Sequence, residues 1–235
     1  MSAADESRYV LAPPPVTVLP VQGDDALFPV RRVYCVGRNY AAHAVEMGHD
    51  PNREPPFFFQ KNPDNLLPGE HSVFPYPAAS QDVHHEVELV VALSRGGRDI
   101  SASQALACVW GYAVGIDMTR RDLQAAAKAA GRPWEVGKAF EHSAPCGSLA
   151  PVARVGHPQQ GDIRLLVNGV PRQQGDLKQM IWTVPEIIAH LSALFELCPG
   201  DLIMTGTPAG VGAVARGDIL DARIAGVGAI QVTVV

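Results

Sequence analysis

The stretch His84-His85-Glu86-Val87-Glu88-Leu89-Val90-Val91-Ala92-Leu93 constrains this chain most: it predicts a strand that starts polar and ends apolar. Side chains two apart on a strand point to the same face. Glu86, Glu88, Val90 and Ala92 therefore share one face, and His85, Val87, Leu89 and Val91 share the other. Two neighbouring carboxylates repel each other and are costly to bury without a positive group between them. A solvated strand end, pairing with Lys or Arg, or a hard divalent cation would each meet that demand. The flanking Val and Leu argue for burial and favour the cation.

The rest of the composition narrows the class. A chain of 235 residues is one domain by default and buries about 70–75% of its unfolded surface, so its core needs no staples. The net charge of −5 and the absence of a Lys/Arg run speak against a nucleic-acid binder. No apolar run approaches the roughly 20 residues of a membrane span. Residues 1–6 are acidic and lack an apolar signal core. Cys35, Cys108, Cys146 and Cys198 are far apart, which predicts reduced thiols and a cytoplasmic protein. Residues 1–30 form a Pro-rich arm with an edge strand at 16–21, and a single larger domain covers 31–235.

Within that domain, residues 32–36 read as a strand turning into a short helix with Asn39 as N-cap and Gly48 as its stop. On this helix His43 and Glu46 are neighbours, and a His beside a carboxylate is either a surface pair or a base with a fixed tautomer. Residues 57–61 form an aromatic strand ending in Lys61. A second apolar strand at 109–117 ends in Asp117, which local pattern assigns equally to a turn or a ligand. Thr119-Arg120-Arg121-Asp122 resembles a capping box opening an Ala-rich helix, and Lys138 sits among Gly, Ala and Phe as a loop charge or an anion donor. Residues 163–174 predict a hairpin about Asn168-Gly169. Thr183-Val184-Pro185-Glu186 is a capping box before a helix whose buried stripe is Ile187, Ile188, Leu191 and Leu194. The Gly-rich loop 206–212 lacks the Lys of a nucleotide P-loop, but its amides and Thr hydroxyls suit a carboxylate. Most strands fall in the C-terminal two-thirds, which predicts a β-rich α+β fold.

Glu86, Glu88 and Asp117 make an all-oxygen set, the donor chemistry of Mg2+, Mn2+ or Ca2+ rather than Zn2+. His84 shares the Glu86 face and is placed to orient a ligand, whereas His85 points away.

Taken in order, Val36-Gly37-Arg38-Asn39-Tyr40, His43-x-x-Glu46, His84-His85-Glu86-Val87-Glu88, Gly115-Ile116-Asp117, Lys138 and Thr205-Gly206-Thr207-Pro208 resemble the fumarylacetoacetate hydrolase family over residues 32–235. Glu54-Pro55-Pro56-Phe57-Phe58-Phe59 narrows the resemblance to the family's acylpyruvate hydrolases, above all those acting on fumarylpyruvate. Lys61-Asn62-Pro63 departs from the pattern, since many members have Pro directly after the Lys.

The resemblance implies a mixed β-sandwich roll, a homodimer and one Mg2+ or Mn2+ per subunit on Glu86, Glu88 and Asp117. It implies that His43 and Glu46 activate a water that attacks the C4 carbonyl of a 2,4-diketo acid, releasing a pyruvate enolate in aromatic-compound degradation. Lys138 then serves as catalytic donor, and Arg38, Lys61, Arg121, Gln124 and Thr207 hold the carboxylate ends. Oxaloacetate decarboxylation, or a related isomerisation, is the alternative on the same enolate chemistry. No nucleic-acid or membrane partner is expected.

Overall fold

The computed structural model describes residues 9–46 and 54–235. The predicted helix stop at Gly48 and the acidic segment 1–6 lie outside the described residues. In chain order the elements begin with β1 (Val18–Val21), β2 (Asp24–Pro29), β3 (Arg32–Gly37), helix α1 (Ala41–Glu46), β4 (Phe57–Lys61), β5 (Leu66–Pro68) and β6 (His71–Phe74). Then follow β7 (Val83–His85), β8 (Val87–Leu93), α2 (Ala102–Ala105), β9 (Val109–Ile116), β10 (Thr119–Arg120), α3 (Arg121–Ala129) and α4 (Glu135–Lys138). The chain closes with β11 (Ala144–Cys146), β12 (Ala150–Pro151), α5 (Val152–Val155), β13 (Asp162–Val167), β14 (Val170–Asp176), α6 (Val184–Leu194), β15 (Asp201–Met204), β16 (Gly212–Ala213), β17 (Ile219–Ile224) and β18 (Gly228–Val234).

The largest sheet has the order β4-β3-β15-β8-β9-β11-β5, with β12 added to β9. It is mixed, because β3 runs parallel to β15 and β5 parallel to β11 while the other pairs are antiparallel. Its two end strands, β4 and β5, are consecutive in the chain. The linking residues 62–65 span at most about 14 Å, whereas seven strands laid flat would separate the ends by about 28 Å. The sheet therefore curls.

Inside the curl pack Val33, Cys35, Val90, Ala92, Ala113, Leu202 and Met204, capped by Leu19 and Phe28 of the β1–β2 hairpin. The outer face, with Tyr34, Leu89, Val91, Val114 and Ile203, packs on a second sheet of order β14-β13-β17-β18-β6 through Ile163, Leu165, Leu220 and Val232. The result is the β-rich, rolled sandwich that the resemblance implies.

Three local outcomes follow from sequence. The 162–176 hairpin turns at Asn168-Gly169 with both residues at positive φ. The capping box at Thr183 and Glu186 is present at the start of α6. Ile187, Ile188 and Leu191 are buried, but Leu194 is exposed, because the helix ends there and the extended Phe195 packs its ring 5.3 Å from Tyr34 instead. The predicted edge strand at 16–21 is present as β1, one arm of a hairpin with β2 that is tied to the main sheet through Leu149.

The 84–93 stretch is two strands rather than one. β7 pairs with β10 and β16, while β8 pairs with β9 and β15, and Glu86 stands at the switch between the two sheets.

Candidate active site

Alternation along β8 turns Glu88 inward with Val90 and Ala92 while Val87, Leu89 and Val91 enter the sandwich core, as the pattern predicts. Asp117 follows the end of β9, and its N–H donates to the Glu86 carbonyl at 2.8 Å, which ties the strand end to the switch. One carboxylate oxygen from each of Glu86, Glu88 and Asp117 lies within 4.8 Å of the others, and all three residues are buried.

The electrostatics of the three differ. Burial pushes Glu86 up, but Lys138 and Arg121 outweigh it and hold its carboxyl well below the usual range. Glu88 is pushed well above that range, first by burial and then by the charges of Asp117 and Glu86, which outweigh the Gly206 N–H at 2.8 Å and the more distant Lys138 charge. Asp117 Oδ1 lies 2.8 Å from the Lys61 ammonium yet receives no hydrogen bond. A buried, all-oxygen donor set in which one carboxylate is short of positive charge fits a hard divalent cation. Such an ion would reverse the penalty on Glu88.

Lys138, the last residue of α4, donates to Glu86 Oε2 at 2.8 Å, Asp117 Oδ2 at 2.6 Å and Thr119 Oγ1 at 2.7 Å. Burial lowers its pKa, but Asp117 and Glu86 more than compensate and raise it, so it stays charged. Arg121 pairs with Glu86 Oε1 and donates to Gln124 Oε1 at 2.6 Å; both side chains line the cavity. Lys61 belongs elsewhere. The sequence reading placed it among the substrate contacts, but its side chain is fully buried, off the cavity wall, with Nζ donating to Ser143 Oγ at 3.0 Å and to the Lys138 carbonyl. The curl of the sheet swings β4 round to Asp117, so Lys61 is a counter-charge to that carboxylate.

Two further sequence readings are corrected. Thr119 caps no helix: its hydroxyl donates to the Asp117 carbonyl at 3.3 Å and accepts from Lys138, while α3 starts two residues later without a side-chain cap. Asp122 instead binds Ser80 Oγ at 2.7 Å and the Gln81 N–H at 2.9 Å. His84 does not orient Glu86, because its Nε2 pairs with Asp82 at 2.9 Å.

Gln173 was missed. It is the one buried side chain among the first four residues of β14, and all four of its hydrogen-bonding positions are used. Oε1 accepts from the Val87 N–H at 3.0 Å and meets His85 Nδ1 at 3.0 Å; Nε2 donates to Thr207 Oγ1 and the Pro208 carbonyl, both at 2.8 Å. It joins the peptide between the two glutamates to the Gly-rich loop. Thr207 lines the cavity, but its hydroxyl proton is committed to the Val87 carbonyl at 2.8 Å, so its hydroxyl can accept there but not donate.

The rim is built by α1 and its flanks. His43 Nδ1 lies 3.2 Å from Glu46 Oε2, and the Glu46 carboxylate accepts from the Gly210 N–H at 3.1 Å. His43 is buried and lines the same cavity as the three carboxylates. Asn39 does not cap α1. Its amide accepts from the Trp182 N–H at 2.7 Å and donates to the carbonyls of Trp182 and Thr205 at 2.9 and 2.8 Å, pinning the turn from two sides. Arg38 stacks over the Phe57 ring at 4.8 Å, and Trp134 meets Phe57 edge-on at 5.2 Å.

Among the described residues no helix is long and apolar enough to cross a membrane. A family model described as fumarylacetoacetate (FAA) hydrolase C-terminal matches residues 32–235. A fumarylpyruvate hydrolase from a Ralstonia species is 44% identical over 185 residues, covering 79% of this chain and 95% of that protein. A mitochondrial oxaloacetate tautomerase from Arabidopsis thaliana is 42% identical over 200 residues, covering 85% and 89%. Among solved structures, the fumarylpyruvate hydrolase of Pseudomonas aeruginosa in complex with Mn2+ and pyruvate superposes with a TM-score of 0.93 at 52% identity, over 97% of this chain and 99% of that one.

Proposed function

The chain belongs to the fumarylacetoacetate hydrolase family, and from that premise we propose that it hydrolyses the carbon–carbon bond of an acylpyruvate, with fumarylpyruvate, split to fumarate and pyruvate, as the favoured substrate in aromatic-compound degradation. The observation that carries this reading is the His43–Glu46 pair opening onto the same cavity as the buried carboxylates. Hydrolysis needs a base for water, and a purely structural metal site does not.

In this reading Glu46 accepts from His43 Nδ1–H and leaves Nε2 free as the proton acceptor. Nε2 takes a proton from water as its oxygen adds to the C4 carbonyl of the diketo acid. The C3–C4 bond then breaks, its electron pair passes into the pyruvate enolate, and C3 is reprotonated to give pyruvate and a carboxylic acid. Lys138, kept charged by Asp117 and Glu86, donates to the developing oxyanion. Arg121 and Gln124 hold the pyruvyl carboxylate at the cavity wall. A divalent cation on Glu86, Glu88 and Asp117, Mg2+ or Mn2+, one in each subunit of a homodimer, supplies Lewis-acid stabilisation of the enolate charge when bound.

The test is a metal-supplemented assay of chelator-stripped protein against several acylpyruvates. Turnover that depends on Mg2+ or Mn2+ supports the reading, and no turnover of any 2,4-diketo acid after restoration sinks it. A second reading, oxaloacetate as substrate for tautomerisation or decarboxylation, draws support from the 42% identity to the Arabidopsis thaliana tautomerase. Oxaloacetate run in parallel separates the two, since decarboxylation releases CO2 and tautomerisation changes only the enol absorbance.

A further inference from the structure

The cavity has a second charged end, away from the carboxylates. Phe57, Phe59 and Lys61 share one face of β4, because side chains two apart on a strand point the same way. Each meets a charged group: Lys61 meets Asp117, Phe59 lies 5.1 Å from the Lys138 ammonium, and Phe57 lies 4.8 Å from the Arg38 guanidinium. A two-residue step is about 7 Å, so Phe57 stands about 14 Å along the strand from Lys61. Arg38 is thus the outermost of these groups.

Its neighbours hold it there. Gly37 lies under the Phe57 ring, and a Cβ at residue 37 would stand 2.0 Å from the nearest ring atom. Only glycine lets the ring lie flat on β3 and offer its outer face to Arg38. Arg38 itself has φ +57, a left-handed conformation that residues with a Cβ avoid. Trp134 packs edge-on against Phe57 at 5.2 Å and 89° and lies 6.0 Å from Phe59, so the three rings make one aromatic wall of the cavity. The inner cations are committed to the inner end: Lys138 to Glu86 and Asp117, and Arg121 to Glu86 and, in the reading above, to the pyruvyl carboxylate. Arg38 also lines the cavity and has no ion-pair partner among the described residues.

We propose that Arg38, stacked on Phe57, is the specificity-determining residue for the acyl end of the substrate, gripping a terminal carboxylate on a flat, unsaturated acyl chain that runs along the Phe57–Phe59–Trp134 wall. The proposal rests on the acylpyruvate hydrolase reading above and adds which part of the chain selects among acylpyruvates. A planar guanidinium suits a bidentate carboxylate grip, and an aromatic wall favours a flat chain over a puckered one.

The experiment compares kcat/KM of the Mn2+-loaded full chain on three acylpyruvates: fumarylpyruvate, its saturated analogue succinylpyruvate, and acetylpyruvate, which has no terminal charge. The wild type is expected to prefer fumarylpyruvate over acetylpyruvate by about 10–100-fold, the range of one charge-assisted contact, with succinylpyruvate between them. In Arg38→Met that ratio collapses, mainly through KM for fumarylpyruvate, because the contact is remote from the breaking bond. Arg38→Lys keeps part of the ratio. A residue that only supports the fold would lower all three substrates together and leave the ratio standing, and that result overturns the proposal. Phe57→Leu gives a second check: it removes the platform while sparing the charge and should cut the ratio by less than Arg38→Met. A wild type that prefers acetylpyruvate overturns the proposal but leaves the hydrolase reading intact. A wild type that turns over none of the three overturns both.

Discussion

At the floor of the cavity each acidic side chain stands on or beside a paired strand and is gripped by buried cations or a backbone N–H, whereas at the rim His43 and Arg38 hang from connecting segments. Glu86 is gripped by Lys138 and Arg121, Asp117 by Lys138 and Lys61, and Glu88 by the Gly206 N–H. His43 rests on Glu46, which rests on one backbone N–H of the Gly-rich loop, and Arg38 rests on a ring. The difference divides the labour. Groups that must hold concentrated charge in a dry place stand on a paired strand or at its end, where the backbone yields little. Groups that meet water and select the substrate sit on a six-residue helix and a turn, the kind of segment that tolerates change.

The largest break in the floor is Glu88→Gln. A glutamine still accepts the Gly206 N–H, so the local fold is spared while one of three anionic donors is lost. Turnover should fall to that of the chelated wild type, and Mn2+ affinity by at least about 100-fold. The chelated variant should melt above the chelated wild type, because a carboxylate crowded by two others in the interior is replaced by a neutral amide. Calorimetric metal titration and thermal melts measure both. A lower melting temperature would break the claim that the floor is strained without its cation.

At the rim, His43→Ala should lower turnover by about 10²–10⁴-fold. Its Mn2+ affinity should stay within about threefold, as expected for sites that share no direct contact. If metal affinity drops in step with turnover, floor and rim form one unit and the division fails.

The two regions were also unequally legible in sequence. Period-two alternation placed Glu88 with Val90 and Ala92 correctly, because a buried strand reports its faces directly. The capping box at Thr183 and the Asn168-Gly169 hairpin were equally plain, since both are local chemistry. Residues whose partners lie far along the chain were not. Asn39 looked like a cap, but its partners are Trp182 and Thr205, 143 and 166 residues away. Lys61 looked like a substrate contact because nothing local says that the sheet curls its strand round to Asp117. Gln173 stood out in no pattern: β14 is mostly exposed, and the register slips beside it, where Leu165 faces Gln173 but Leu166 faces Pro171, so Arg172 is an extra residue. That bulge turns one polar side chain inward among exposed ones. A Gln followed by another Gln, Gln173-Gln174, in a polar strand after a turn carries no local signal that singles out the first as buried.

Gln173→Leu tests whether the joint between floor and loop matters as much as the ligands. It leaves the Val87 N–H and the Pro208 carbonyl without their amide partner in the interior. Stability should fall by about 1–3 kcal/mol. Mn2+ affinity should weaken by about 10–100-fold, the usual cost of losing a group that orients a ligand. Gln173→Glu restores the acceptor for Val87 but not the two donations, so it should recover only part of the affinity. Full affinity in both variants would show that the strands alone hold Glu86 and Glu88 in place.

The smallest effect comes from Thr183→Ala, at the start of α6 and outside the cavity. Losing the cap should cost about 0.5–2 kcal/mol in a denaturant melt. The adjacent Trp182 backbone anchors Asn39, and through it the turn that carries Arg38 and α1. That anchor does not stand alone, because Asn39 also donates to the Thr205 carbonyl, which belongs to the floor side of the molecule. With one of two anchors intact, kcat/KM should stay within about twofold, as for a change beyond direct contact. A larger loss would mean that the rim is positioned from α6 rather than from the sheet, and that its apparent independence from the helical layer is wrong.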